Sequence, residues 1–343
     1  MAPLAPRCPR EGYDLMPIAP QGIAVVATYD CNLACRHCFF SARRRPDYLA
    51  PDMLDAALAS LREPLRWLHL TGGEPLLKPR ALDALLDVVQ SRHEYDVGIA
   101  TNGYWGSDAE QATKRVEQLR RKGITGICVS VDSFHQPGVP TASVINAACA
   151  ISQAGLGRHS YLVCSLLPDD YDGAEDTNER SRQLARDAAD ASDLPIAETP
   201  VRPIGRPSAL ARRPDVEALP SGPCRDLACC LGETTLFEPQ MLWLDPFGNV
   251  MICYGITIGN LSDASMQEIL DRYETTSNPV LQALADGGPR AVYDLAAADG
   301  VAPDGAFADE CELCFHTRRA LQQQHPELLT PNECYPGACA GVD

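Results

Sequence analysis

Fifteen cysteines in 343 residues set the chemistry of this sequence. Three of them stand in Cys31-Asn32-Leu33-Ala34-Cys35-Arg36-His37-Cys38, so one short segment carries three thiols at fixed spacing. Soft thiolates select zinc, copper(I) or iron–sulfur clusters. Three ligands from one loop do not complete a tetrahedral zinc site, but they suit a cubane cluster whose fourth iron stays open to a substrate or cofactor. A zinc knuckle that borrows a remote fourth ligand is the competing reading. A second group follows late in the chain: Cys224, Cys229 and Cys230, then Cys253, then Cys311-Glu312-Leu313-Cys314. The total is odd, and the proline-rich start has no apolar secretory segment. Both facts point to metal binding rather than a disulfide scaffold.

The first thiols need a rigid support, and the pattern of the chain predicts one. Short β-rich runs at Ile23–Tyr29, Trp67–Thr71, Val97–Thr101, Ile127–Asp132, Tyr161–Leu166 and Ile196–Val201 alternate with helical stretches at Pro51–Leu61, Arg80–Ser91, Asp108–Lys122, Ala142–Ala154 and Thr177–Ala191. Such alternation gives parallel strands with right-handed crossovers. Six units are too few for the eight-fold barrel, so the expected fold is α/β, a partial (β/α)6 TIM-like barrel. The expected division is an N-terminal extension over 1–22, the barrel over 23–205, a Pro/Arg-rich linker over 206–222 and a small cysteine-rich α+β domain over 223–343. In that last part Met241–Asp245 and Asn249–Tyr254 read as a hairpin around Pro246-Phe247-Gly248. Helices are expected at Ser265–Tyr273, Val280–Ala285 and Arg318–Gln324, with Cys311 on a loop. Asp245 and Asn260 read as turn residues.

Composition narrows the partners. Hydrophobic residues make up 45% and the formal charge is −17. That balance argues against nucleic acid, whose phosphates call for clustered Lys and Arg. No apolar run approaches the roughly 20 residues of a membrane helix, so a cytoplasmic location is expected.

The strand ends carry the decisive motifs. Thr71-Gly72-Gly73-Glu74-Pro75 ends the second strand, Thr101-Asn102-Gly103 the third, and Val129-Ser130-Val131-Asp132-Ser133 the fourth. Together with CxxxCxxC after the first strand, and His37 as the aromatic residue before its last cysteine, the sequence from Gly22 to Gly205 resembles the radical S-adenosylmethionine (radical SAM) superfamily. The resemblance implies a catalytic [4Fe–4S] cluster on Cys31, Cys35 and Cys38. It also implies S-adenosylmethionine held by Gly72, Gly73, Glu74, Pro75, Asn102, Ser130 and Asp132, with His37 beside it. Arg202 and Arg206 close the last strand, where family members line the cofactor. The resemblance implies reductive cleavage of the cofactor and hydrogen abstraction from an unactivated carbon.

Past the linker the chain is similar to the twitch, or truncated SPASM, appendage that holds one auxiliary [4Fe–4S] cluster. Cys253, Cys311 and Cys314 are its expected ligands, with Cys230, Cys224 or Cys229 as the fourth. Nineteen residues separate Cys334 from Cys314, too many for the full two-cluster pattern. A structural four-cysteine zinc site is the plainer alternative. His135 is a candidate acid, base or hydrogen-bond donor, and Cys334 a candidate hydrogen donor. Tyr104 and Trp105 are candidate mouth residues. Cys128, Cys149 and Cys164 read as buried small hydrophobes.

The expected function is an oxidoreductase acting on a small natural-product precursor of sugar, aminocyclitol or nucleoside type, with the auxiliary cluster accepting an electron. Maturation of a ribosomal peptide by crosslink, thioether or epimerisation is the alternative. A non-catalytic iron–sulfur or zinc protein is the remote one. Only 22 residues precede the first expected strand, which leaves no room for the winged-helix module of many peptide maturases. A peptide substrate would then call for a separate recognition protein. A flavodoxin- or ferredoxin-type donor is the expected source of electrons.

Overall fold

A computed structural model describes residues 18–40, 47–92, 95–210, 219, 236 and 239–335. The chain builds β1 (Gly22–Thr28), α1 (Pro51–Ser60), β2 (Trp67–Gly72), α2 (Pro79–Ser91), β3 (Asp96–Thr101), α3 (Ala109–Arg121), β4 (Gly126–Ser130), α4 (Thr141–Gln153), β5 (Tyr161–Leu166), α5 (Ala174–Ser192) and β6 (Ile196–Pro200). These six strands are parallel neighbours in the order β6-β5-β4-β3-β2-β1, as the alternating pattern requires. Every residue of β1 is buried, which explains its unbroken apolar run. Helix α2 presents Leu82, Leu85, Leu86 and Val89 to the sheet. Asp108 caps α3 by accepting from the Gln111 N–H at 2.8 Å.

The C-terminal strands extend the same sheet. β7 (Met241–Leu244) pairs parallel with β1, from Gly22 opposite Met241 to Val25 opposite Leu244. β8 (Asn249–Cys253) and β9 (Ile256–Asn260) follow antiparallel, making nine strands in one sheet. The expected linker over 206–222 falls largely outside the described residues. So do Cys224, Cys229 and Cys230.

Three elements differ from the sequence expectation. Residues 256–260 form strand β9, an element outside the expectation; Asn260 ends it and opens the following turn by accepting from the Ser262 N–H at 2.8 Å, and its amide donates to the Phe247 carbonyl at 3.0 Å. Helix α6 (Met266–Asp271) is followed by α7 (Pro279–Ala298), which runs past Ala285 because the chain kinks at Gly288 and Pro289 and resumes its helix. Cys311 lies in the first turn of α8 (Glu310–Leu321), not on a loop. Asp309 starts that helix by accepting from the Glu312 N–H at 2.9 Å, and the Glu312 carboxylate accepts from the Ala308 N–H at 2.6 Å.

Candidate active site

The cysteine loop leaves the C-terminal end of β1, and each neighbouring strand end is fastened to it. Gly72 has φ +124°, and a Cβ there would sit 2.3 Å from the Thr28 carbonyl oxygen. A Cβ on Gly73 would meet the Asp30 carbonyl at 2.0 Å. The two glycines therefore let β2 close onto the end of β1. The Gly73 N–H donates to Thr28 and the Glu74 N–H to Asp30, both at 2.8 Å.

Glu74 is fully buried. Its Oε1 accepts from the Leu76 N–H at 3.1 Å and the Thr101 hydroxyl at 2.9 Å, and its Oε2 from the Asn102 N–H at 2.8 Å. Burial pushes its pKa up to about 7 against these three donors. Asn102 in turn donates its amide to Asn32 Oδ1 at 2.9 Å, which reaches the cysteine loop itself. Tyr104 and Trp105 brace this corner through Leu76 O at 2.9 Å and Thr101 Oγ1 at 3.0 Å.

Burial raises all three thiols, Cys31 and Cys35 to about 12, while the nearby Arg206 guanidinium pulls the other way. Arg206 donates to the Cys35 carbonyl at 3.1 Å. The Leu33 N–H lies 3.4 Å from the Cys31 sulfur, and the Phe40 N–H bonds the Cys38 sulfur. Three soft donors with N–H partners and a facing cation fit an anionic thiolate–metal cluster, whose binding supplies the deprotonation that burial opposes.

Across the mouth, Asp132 is fully buried. Its Oδ1 accepts from the Phe134 and His135 N–H groups, each at 3.0 Å, and pairs with His135 Nδ1 at 2.9 Å. Its Oδ2 accepts from the Ser165 N–H at 3.3 Å. Burial opposes ionisation, but the charge and hydrogen bonds of His135 outweigh it and hold the carboxyl well below the usual range. His37 stacks on Phe134 at 4.5 Å and meets His135 edge-on at 4.7 Å. Its Nδ1 is buried without a hydrogen-bond partner, and burial lowers its pKa to about 3. Ser130 is half-buried at the end of β4, and Pro75 is buried in the turn after β2. Sequence reasoning missed Asn32 and Gln136, whose Oε1 accepts from the Asp132 N–H at 2.7 Å. No motif marks either residue.

The C-terminal thiols come together at the other end of the hairpin. Burial pushes up the Cys253 thiol, at the end of β8, and pushes Cys311 to about 12, with the neighbouring thiols adding to both. The Arg202 guanidinium lies 3.9 Å from the Cys311 sulfur. Arg318 is 2% exposed and donates to Cys314 Sγ at 3.2 Å, to Tyr254 O at 2.9 Å and to Tyr335 Oη at 2.6 Å. Cys334 is fully buried beside the Tyr29 hydroxyl, 3.9 Å away.

This fold and this loop define a class. Residues 25–178 match the family model of the Radical SAM superfamily, and the chain carries a domain of that superfamily. The superfamily implies a [4Fe–4S] cluster and S-adenosylmethionine. Among curated proteins, GTP 3',8-cyclase of Parasynechococcus marenigrum is 33% identical over 131 residues, covering 34% of this chain and 36% of that protein. Molybdenum cofactor biosynthesis protein 1 of Bos taurus is 28% identical over 117 residues, covering 33% of this chain and 18% of that protein. The chain thus spans about a third or less of the length of these relatives. Among solved structures, SuiB of Streptococcus suis bound to precursor peptide SuiA superposes with a TM-score of 0.52 at 12% identity, over 92% of this chain and 76% of that one. SuiB bound to S-adenosylmethionine gives 0.52 at 13% identity, over 92% and 77%. Among the described residues no helix is long and apolar enough to cross a membrane.

Proposed function

We propose that the protein is a radical SAM oxidoreductase that abstracts a hydrogen atom from a small natural-product precursor of sugar, aminocyclitol or nucleoside type. Its C-terminal part, from about residue 223, is read as a twitch/SPASM-like domain with one auxiliary [4Fe–4S] cluster. The observation that carries the oxidative reading is the convergence of Cys253, Cys311 and Cys314, with Arg202 and Arg318 beside the sulfurs. Three gathered thiols with two guanidiniums suit an anionic redox cluster as electron acceptor. The fourth ligand is assigned to Cys230, Cys224 or Cys229.

Cys31, Cys35 and Cys38 would hold the catalytic cluster, which together with S-adenosylmethionine would supply hydrogen-abstraction chemistry on delivery of one electron by a flavodoxin- or ferredoxin-type donor. The chain's own residues supply position. Glu74 and Asn102 fix the loop, Gly72, Gly73, Pro75, Ser130, Asp132 and His37 are read as lining the cofactor, and Arg202 is read with the C-terminal thiols. Asp132 holds the His135 ring so that its Nε2 is left to face the substrate. The GTP 3',8-cyclase likeness, confined to a third of the chain, favours a small molecule. A peptide maturase is the second reading. It is favoured by the fold match over 92% of the chain to a protein solved with its precursor peptide.

The test is iron and acid-labile sulfide per chain after anaerobic reconstitution, in wild type and in a Cys31→Ala/Cys35→Ala/Cys38→Ala variant. The cubane stoichiometry leads us to expect about eight irons in wild type and about four in the variant, with cofactor cleavage lost. Cleavage at the wild-type rate in the variant would overturn the primary site. About four irons plus zinc in wild type would remove the oxidative reading.

A further inference from the structure

The segment that carries Cys31, Cys35 and Cys38 is clamped on both sides by aromatic rings of the C-terminal hairpin. Before it, Tyr29 stacks on Phe247 of the hairpin turn at 5.9 Å and donates its hydroxyl to Asp245 Oδ2 at 3.2 Å. After it, Phe39 and Phe40 follow directly on Cys38. Phe39 meets Tyr254 edge-on at 5.2 Å, and Phe40 meets the same ring at 5.6 Å. Both also reach Trp243 of β7, at 6.2 and 6.1 Å.

The position of Tyr254 gives this packing a direction. It follows directly on Cys253, as Phe39 follows on Cys38. A thiol of each site is thus one peptide away from a ring, and the two rings touch. The Tyr254 carbonyl also accepts from Arg318 Nη1 at 2.9 Å, and Arg318 Nε donates to Cys314. Tyr254 therefore feels the C-terminal site through two bonded routes, its own cysteine and Arg318. Edge-to-face ring pairs of this kind stabilise beyond simple burial, and their geometry is demanding. The loop's far side is held as well. Gly205 has φ +72°, and a Cβ there would lie 2.6 Å from the Phe39 carbonyl, so the chain before Arg206 packs on the same residue.

We propose that Phe39 and Tyr254 are positioning residues that couple the state of the C-terminal thiol site to the retention of the catalytic cluster on the Cys31–Cys38 loop. The proposal rests on the reading that Cys253, Cys311 and Cys314 hold a metal cluster. Filling that site fixes Cys253 and Arg318, hence Tyr254. Tyr254 then holds Phe39 and the exit of the loop. Coupling of this kind is reciprocal, so cofactor binding at the loop also steadies the C-terminal site.

The test is anaerobic release of iron to a ferrous chelator, with the catalytic cluster followed by the change that S-adenosylmethionine makes in its electron paramagnetic resonance. The comparison is a cycle: wild type, a Cys311→Ala/Cys314→Ala variant that empties the C-terminal site, Tyr254→Leu, and the combination. Emptying the site is expected to speed loss of catalytic iron about 5-fold, at the low end of measured couplings. Tyr254→Leu is expected to do the same alone and to leave nothing further for the cysteine changes to do. Tyr254→Phe keeps the ring and is expected to restore wild-type coupling. Phe39→Leu tests the contact from the other side should Tyr254→Leu not fold. The same speeding by the cysteine changes with or without the Tyr254 ring would overturn the coupling. A Cys311→Ala/Cys314→Ala variant with wild-type total iron would instead overturn the C-terminal cluster, by a separate readout.

Discussion

Replacing Glu74 by Gln preserves shape and removes one acceptor, which makes its cost calculable. The carboxylate receives the Leu76 N–H and Thr101 hydroxyl on Oε1 and the Asn102 N–H on Oε2. A glutamine offers one oxygen and one NH2, so in either orientation an NH2 faces a buried N–H donor. One unpaired buried donor costs about 1–3 kcal/mol. The cost depends on pH. Burial places the Glu74 pKa at about 7, above its ordinary value of 4.5. A group raised on folding contributes its full stability below the unfolded value and loses it as pH rises through the folded value. Wild type therefore loses on the order of 3 kcal/mol between pH about 4.5 and about 7, while the Gln variant has no such loss. Urea unfolding of both proteins at pH 5 and pH 8 reads this directly. Wild type, whose neutral carboxyl at pH 5 keeps an oxygen able to accept where the Gln NH2 cannot, is expected to lead there by about 1–3 kcal/mol and to lose that lead by pH 8. A gap that does not change with pH, or a Gln variant as stable as wild type at pH 5, would refute the reasoning. Because Asn102 Nδ2 reaches Asn32, the variant is also expected to hold catalytic iron less tightly.

Other substitutions read other joints. Gly73→Ala places a Cβ 2.0 Å from the Asp30 carbonyl oxygen, a backbone atom. It is expected to cost at least about 3 kcal/mol by urea unfolding, whereas Gly155→Ala, with nothing within 4 Å of the new Cβ, should cost only its φ strain of about 1–2 kcal/mol. Arg318→Met removes the donor to the Tyr254 carbonyl and to Tyr335 Oη, whose hydroxyl still donates to the Gly255 carbonyl. A thermal melt is expected to show a loss of about 2–4 kcal/mol, with C-terminal iron lost before catalytic iron. Asp132→Asn removes a carboxyl held below the usual range by His135. That group stabilises above pH about 4 and loses its effect as pH falls through the lowered folded value. The variant's urea midpoint should therefore fall at pH 7 and lose part of wild type's acid slope below pH 4.

The six parallel strands were legible because β1 reads as a continuous apolar run and α2 and α3 keep their helical spacing. The cysteine loop and strand-end motifs were legible because thiols and glycines at fixed spacing carry their meaning locally. The union of the C-terminal hairpin with the barrel was not. β7 pairs with β1 across more than two hundred residues, and nothing in Met241–Leu244 names its partner. Helix α8 could have been read, since Asp309 and Glu312 stand at capping distance, but the cysteine pair suggested a loop. Arg202 could not be assigned between two thiol sites from sequence, because only folding sets it 3.9 Å from the Cys311 sulfur.

The motif residues have internal duties that precede any ligand. Gly73 and Glu74 bind the end of β2 to β1 through Thr28 and Asp30. Glu74 then binds β2 to β3 through Thr101 and Asn102, and Asn102 binds β3 to the cysteine loop. Asp132 binds the end of β4 to β5 through Ser165. Arg206 returns from the end of β6 to the Cys35 carbonyl. Strand ends joined in this way form a chain of fixed polar groups around one loop. A catalyst that must keep a reactive radical on one path needs such groups set before the substrate arrives, since an error of about 1 Å in position costs roughly a hundredfold in rate. The same logic separates two kinds of damage. Breaking a joint at Glu74 or Gly73 should lower stability and cluster retention together. Changing His135 to Gln, which keeps a side-chain donor for Asp132 Oδ1, should lower turnover far more than it lowers stability. Urea midpoint and single-turnover rate for His135→Gln beside Glu74→Gln decide the point. Parallel losses in both quantities for both variants would mean that the mouth is scaffold throughout and that His135 has no part in the chemistry.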